Sequence, residues 1–182
     1  MTRISEAKRE DFSEDLHPAF DAVHANGKPI GPGSITIHSP ELARLRLPIS
    51  GYVRWNMDIE AQYTELAILV AARALDCAYV WNAHVVVAAE AGVSQALIDA
   101  LRNNTPLPTE APTQVALANF GLELIRDHQV QSTTYEAAHS AFGTKALVEL
   151  TSLMGHYAQN AFLIAAFDVS LPEELNASVL PV

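Results

Sequence analysis

The stretch that decides the fold is Glu65–Gly92, ELAILVAARALDCAYVWNAHVVVAAEAG. It reads as two helical runs that meet near Asp76 and Cys77. The first, Glu65 to Leu75, is rich in Ala, Leu and Arg, all good helix formers. The second, Cys77 to Ala91, stops at Gly92, a usual residue just past a helix end. Asp76 is placed to cap the second helix by accepting its first free N–H groups. With that start, Cys77, Val80, Trp81 and His84 share one face. An acid, a thiol, an indole and an imidazole thus fall within one mostly aliphatic stretch, which makes it the best candidate for chemistry in the chain.

Working outward, the remaining segments also read as helices. Glu14 to Ala25 is a short amphipathic run with Pro18 early in it, where proline is tolerated. Gly31 to Ser34 reads as loop, and Ile35 to His38 as an extended, ordered continuation of it. Ser39 is a candidate N-cap, with Pro40 at the first helical position. That helix is expected to run to about Trp55 with a kink near Pro48 or Gly51. Ile59 to Leu75 leads into the central pair. Ser94 caps Gln95 to Arg102, and prolines at 106, 108 and 112 stiffen the connection that follows. Thr113 to Asp127, Thr133 to Phe142 (capped by Ser132) and Lys145 to Phe167 complete the series. The segment past Glu174 is expected to lie over a surface or a neighbouring subunit. No stretch reads as a sheet, so the fold class is all-α, with about seven or eight helices in a single domain spanning 1–182.

Composition narrows the function. Of 182 residues, 49% are hydrophobic, yet no apolar run reaches the length of a membrane span. The first residues, MTRISEAKRED, lack the apolar core of a secretory signal. The reading is a soluble, cytoplasmic protein with no membrane partner. The single cysteine excludes an intramolecular disulfide framework and fits a reducing compartment. A net charge of -10 argues against nucleic acid, which needs a clustered basic surface.

Glu65, Cys77, Tyr79, Trp81 and His84, followed by Ala88-x-x-Ala91-Gly92-Val93-Ser94, resemble the carboxymuconolactone decarboxylase and alkylhydroperoxidase D-like family. Ser39-Pro40-Glu41-Leu42 upstream, and Leu147 to Leu150, Gly155-x-Tyr157 and Phe167-x-Val169-x-Leu171-Pro172 downstream, extend the resemblance over most of the chain. The family's peroxidases carry a Cys-x-x-Cys pair. Here the motif is Cys77-Ala78-Tyr79-Val80, and the second cysteine is absent. The resemblance implies a multi-helix fold and a homo-oligomer, trimer or hexamer.

Three residues are catalytic candidates. An imidazole takes and returns a proton near neutrality, and the resemblance implies proton transfer for His84; the plain alternative is a buried histidine with one hydrogen bond. Glu65 lies among apolar residues, where a carboxylate needs a partner. The family implies that His84 is that partner, against the alternative of a pair with Arg73 on an exposed face. Cys77 in a first helical turn would be activated by the helix dipole, but a lone cysteine in an aliphatic helix is more often a small buried hydrophobe. Arg54 is the candidate for gripping a substrate carboxylate, unless it is spent in a solvent-facing ion pair. Trp81, Tyr79, His38, Trp55, His156 and Tyr157 are candidate substrate contacts. No HxxxH or HExxH spacing supports a metal site, and no cofactor is called for.

These readings lead to a cofactor-independent lyase acting on a small carboxylated lactone or related cyclic acid. The alternatives are a thiol-dependent hydroperoxidase using Cys77 with an external thiol, and a non-catalytic oligomer that binds a small acid.

Overall fold

The structure is a computed structural model that describes residues 2–25, 27–172 and 180–181. Among these residues it is all-α, with no strand. The helices are α1 His17–His24, α2 Pro32–Thr36, α3 Pro40–Gly51, α4 Ala61–Ala74, α5 Ala78–Glu90, α6 Gln95–Asn103, α7 Pro112–Leu122 and α8 Ser132–Phe167. α8 is broken at Gly143, whose backbone (φ 71°, ψ 171°) leaves helical geometry. The expected pair of helices on either side of Gly143 is therefore present, joined end to end.

α4 is the centre of the molecule. Leu66 through Ala72 are each at most 1% exposed. A helix apolar on every side has to be surrounded, and α5, α7 and α8 pack around it. Close approach of α7 depends on Gly121. A Cβ there would lie 2.6 Å from Val70 Cγ1 and 2.7 Å from Met154 Cε. Gly121→Ala is expected to cost about 1–3 kcal/mol through overpacking, read as a lower urea midpoint with an unchanged slope.

Four local readings need correction. Pro32–Thr36 is helical rather than loop and extended chain. Gly31 turns the chain with a positive φ of 53°, Pro32 fits the first turn, and Ser34 Oγ donates to Gly31 O at 2.8 Å. Both Ile35 and Ile37 are then buried, which the strand-like alternation concealed. Second, Asp76 does not cap α5. It adopts a left-handed backbone (φ 50°) that ends α4, and its carboxylate pairs with Arg73. Cys77 is the N-cap residue instead. Third, Gln131 precedes α8 as its N-cap, and Ser132 is the first helical residue. Fourth, Ser39 and Ser94 occupy their expected N-cap positions without a side-chain capping bond. The Ser94 amide instead donates to Gln114 Oε1 at 2.9 Å.

The chain near 181 closes over the far end of α4. Leu180 is buried in the main core. Arg73, 2% exposed, donates from Nη1 to the carbonyls of Arg102 at 3.0 Å and Pro181 at 2.9 Å. Residues 173–179 lie outside the described residues, and with them most of the segment past Glu174 expected to lie over a surface or a neighbouring subunit.

Candidate active site

The irregularity expected near Pro48 or Gly51 falls just after them. α3 gives way to a π-helical turn, Tyr52–Asn56. Such turns re-aim side chains relative to a regular helix. Arg54 leaves this turn toward α4, where its Nη2 meets Glu65 Oε1 at 2.7 Å. From α5, His84 Nδ1 lies 2.9 Å from Glu65 Oε2. One carboxylate thus bridges a guanidinium and an imidazole, one oxygen to each.

The protonation pattern follows. Burial alone would raise the Glu65 carboxyl, but the His84 hydrogen bond and the Arg54 charge together hold it below the usual carboxylate range. Ionised, it only accepts hydrogen bonds. His84 Nδ1 therefore carries the proton in this contact, leaving Nε2 as the nitrogen that exchanges protons elsewhere. The Glu65 side chain is 5% exposed, against 14% for His84 and 16% for Arg54. The acid is interior, while its two partners reach the surface. Tyr157 of α8 closes one side, edge-on to His84 with ring centroids 5.1 Å apart. Burial pushes its phenol up to about 12, with Arg54 pulling down and Glu65 adding to the rise, so it stays a neutral hydroxyl.

The other sequence candidates distribute differently. Cys77 is buried at the start of α5, and burial pushes its thiol up against the opposing pull of the Val80 and Tyr79 amides. Trp81 is fully buried core rather than a wall open to ligand. Tyr79 faces Gly31 and the start of α2. Trp55 is 75% exposed, with the Arg54 guanidinium 4.5 Å above its ring. His38 is exposed and bonded through Nε2 to Ser5 O at 3.1 Å. Among the described residues no cluster of three or more His, Cys, Asp or Glu converges to hold a metal ion.

Sequence reasoning passed over a second buried carboxylate. Tyr52, on the same π turn, donates its hydroxyl to Glu149 Oε1 of α8 at 2.5 Å. Lys145, one turn before Glu149, sits 3.5 Å from the same oxygen. That i, i+4 pair was the available signal, and it looks like an ordinary surface pair.

His156 touches the Tyr157 ring edge-on at 5.6 Å. Burial, and then the charge of Arg46, pushes its imidazole down to about 4. A histidine in the unfolded chain takes its proton near 6.5, so between these values the unfolded state binds more protons. Stability therefore falls as pH drops from about 6.5 to 4. Urea titrations at stepped pH are expected to show this loss in wild type and a shallower one in His156→Gln.

Residues 40–119, which hold Arg54, Glu65, Cys77 and His84, match the carboxymuconolactone decarboxylase family. The match runs from the start of α3 into α7. Carboxymuconolactone decarboxylase-family likeness extends to solved structures at the level of fold. An alkylhydroperoxidase AhpD core structure, an uncharacterized peroxidase-related protein from Ralstonia eutropha JMP134, aligns at TM-score 0.71 and 15% identity over 96% of this chain and 94% of its own. The debrominase Bmp8 aligns at TM-score 0.71 and 15% identity over 98% and 96%. A cysteine-to-alanine variant of Bmp8 is known in complex with 2,3,4-tribromopyrrole. A peroxidase-related protein from Silicibacter sp. TM1040 aligns at TM-score 0.69 and 12% identity over 97% and 95%. No curated protein matches the chain. No helix among the described residues is long and apolar enough to cross a membrane.

Proposed function

We propose that this chain is a cofactor-independent carboxy-lyase of the carboxymuconolactone decarboxylase type for a small carboxylated lactone or related cyclic acid. The observation that carries the reading is Glu65 bridging His84 and Arg54. Loss of CO2 breaks a carbon–carbon bond and leaves its electron pair on the ring. That pair delocalises toward the lactone carbonyl, and the ring carbon then takes one proton. His84 delivers that proton from Nε2 and regains one from solvent, with Glu65 fixing the imidazole through Nδ1. Arg54 holds the anionic substrate and steadies the negative charge that gathers on the carbonyl oxygen.

The thiol-peroxidase reading draws support from the names of two structural neighbours. Against it stand Val80 in place of a second thiol and a buried Cys77 whose thiol is raised rather than activated. A homo-oligomer, trimer or hexamer, belongs to the same proposal; Trp55, Ile49, Leu45 and Val148 are large apolar side chains left exposed on the chain, as suits burial against a second copy.

The test is product-resolved turnover on a panel of small lactone acids, by mass spectrometry and CO2 detection. Wild type is expected to release CO2, and Cys77→Ser to retain turnover within about threefold, since serine changes little beyond one buried thiol. Peroxide reduction with an external thiol, lost in Cys77→Ser and with no CO2 from any lactone acid, would reverse the assignment. Ligand binding without turnover of either kind would leave a non-catalytic acid-binding protein.

A further inference from the structure

Away from the Glu65–His84 pair, a cavity of about 330 Å³ lies among α1, α2, α3 and α8. Its polar wall is Arg46, His156 and Asn160. Arg46 Nη2 donates to Asn160 Oδ1 at 2.8 Å, while Arg46 Nε is buried with no hydrogen-bond partner among the described residues. The carboxamide nitrogen of Asn160 and both ring nitrogens of His156 likewise make no hydrogen bond there. No carboxylate lines the cavity, and Lys28, its other cation, is bound to Glu6 at 2.7 Å. Arg46 therefore brings a half-buried positive charge that no described acid neutralises. A buried donor without an acceptor is costly, and an arginine fork facing a cavity matches a carboxylate in two-pronged fashion. The remaining wall is largely apolar, with Ile30, Pro32 and Leu47.

We propose that this cavity is a binding site for a small organic carboxylate, whose carboxylate sits on Arg46 and whose hydrocarbon part lies against Ile30, Pro32 and Leu47. Its volume is at the low end for ligand pockets, about 300–1,000 Å³, and suits a ligand of about one ring. His156, held neutral by burial and by Arg46, offers an N–H or a lone pair without adding charge. The site is separate from the catalytic pair. The buried Tyr157 ring stands between, 5.6 Å from the His156 ring and 5.1 Å from that of His84. Nothing in the proposal depends on which reaction His84 performs.

Calorimetric titration of the full chain with benzoate, benzamide and inorganic phosphate tests it. Benzoate is expected to bind saturably, at least about tenfold tighter than neutral benzamide or than phosphate. In an Arg54→Gln background, which removes the arginine assigned to the active-site substrate, Arg46→Gln should weaken benzoate by about tenfold or more. Ser50→Phe, which fills the cavity and keeps the charge, should abolish binding in the same background; it carries the test if Arg46→Gln does not fold by circular dichroism. No saturation of the Arg54→Gln protein by about 20 mM benzoate, or binding left unchanged by Arg46→Gln in that background, would overturn the site. Phosphate binding as tightly as benzoate would overturn its organic ligand.

Discussion

His84→Gln is expected to lower turnover by about 10²–10⁴-fold, the usual contribution of a positioned acid–base group, and to leave the fold in place. Glutamine keeps a hydrogen-bonding group near Glu65 and fills similar space, but it cannot carry a proton from Nε2 to a ring carbon. His84 contributes little to the core, since its outer edge reaches the surface and its inner contacts are Glu65 and the Tyr157 ring. A denaturation midpoint close to wild type with collapsed turnover is the expected combination. Wild-type turnover in this variant would remove His84 from the chemistry and with it the lyase reading. The loss should fall mainly on kcat, because the proton moves in the transition state rather than during binding.

Glu65→Leu is expected to damage both stability and activity. Removing one member of a buried charged cluster leaves its partners uncompensated, at a cost of about 3–5 kcal/mol. Here the stranded group is chiefly Arg54, whose guanidinium loses its 2.7 Å contact. Because Arg54 reaches the surface, the lower end of that range is the one to expect. The double variant Glu65→Leu/Arg54→Met separates the effects. It should recover much of the stability, since no lone charge remains buried, while turnover stays lost because His84 has no carboxylate to orient it. Urea midpoints and turnover on all three proteins check this. The same cluster adds a pH dependence. The folded Glu65 carboxyl is held below its ordinary range, so its contribution is fully present above about pH 4.3. It is lost as pH falls through the lower folded value. Glu65→Leu should remove that acid-side decline.

Much of this arrangement was legible in the sequence because it is local. Helical periodicity and the Gly92 stop place Glu65 and His84 on two successive helices, and the family resemblance is what implies their pairing, which in the structure is a 2.9 Å contact. What could not be read depends on distant chain or on competing local geometries. Asp76 has two uses open to an aspartate, capping the next helix or turning left-handed at the end of the last, and Arg73 selects the second. The prolines and glycine of α3 warned of a break, yet nothing local shows that the π turn aims Arg54 inward while leaving Trp55 outside. Tyr79 and His38 carry the right chemistry for a pocket and still turn elsewhere, toward Gly31 and Ser5. Arg46 and Asn160 are separated by 114 residues, so their bond leaves no trace in any short window.

The contact between Arg73 and Pro181 joins residues 108 positions apart. A ribosome makes the arginine long before its acceptor. Until residue 181 emerges, the Arg73 guanidinium at the end of α4 lacks one of its carbonyls, and the space taken by Leu180 stands open to water. Nascent chains should therefore hold their central helix loosely and consolidate in a late, concerted step. Quality-control factors that survey exposed apolar surface would meet the helices before that step.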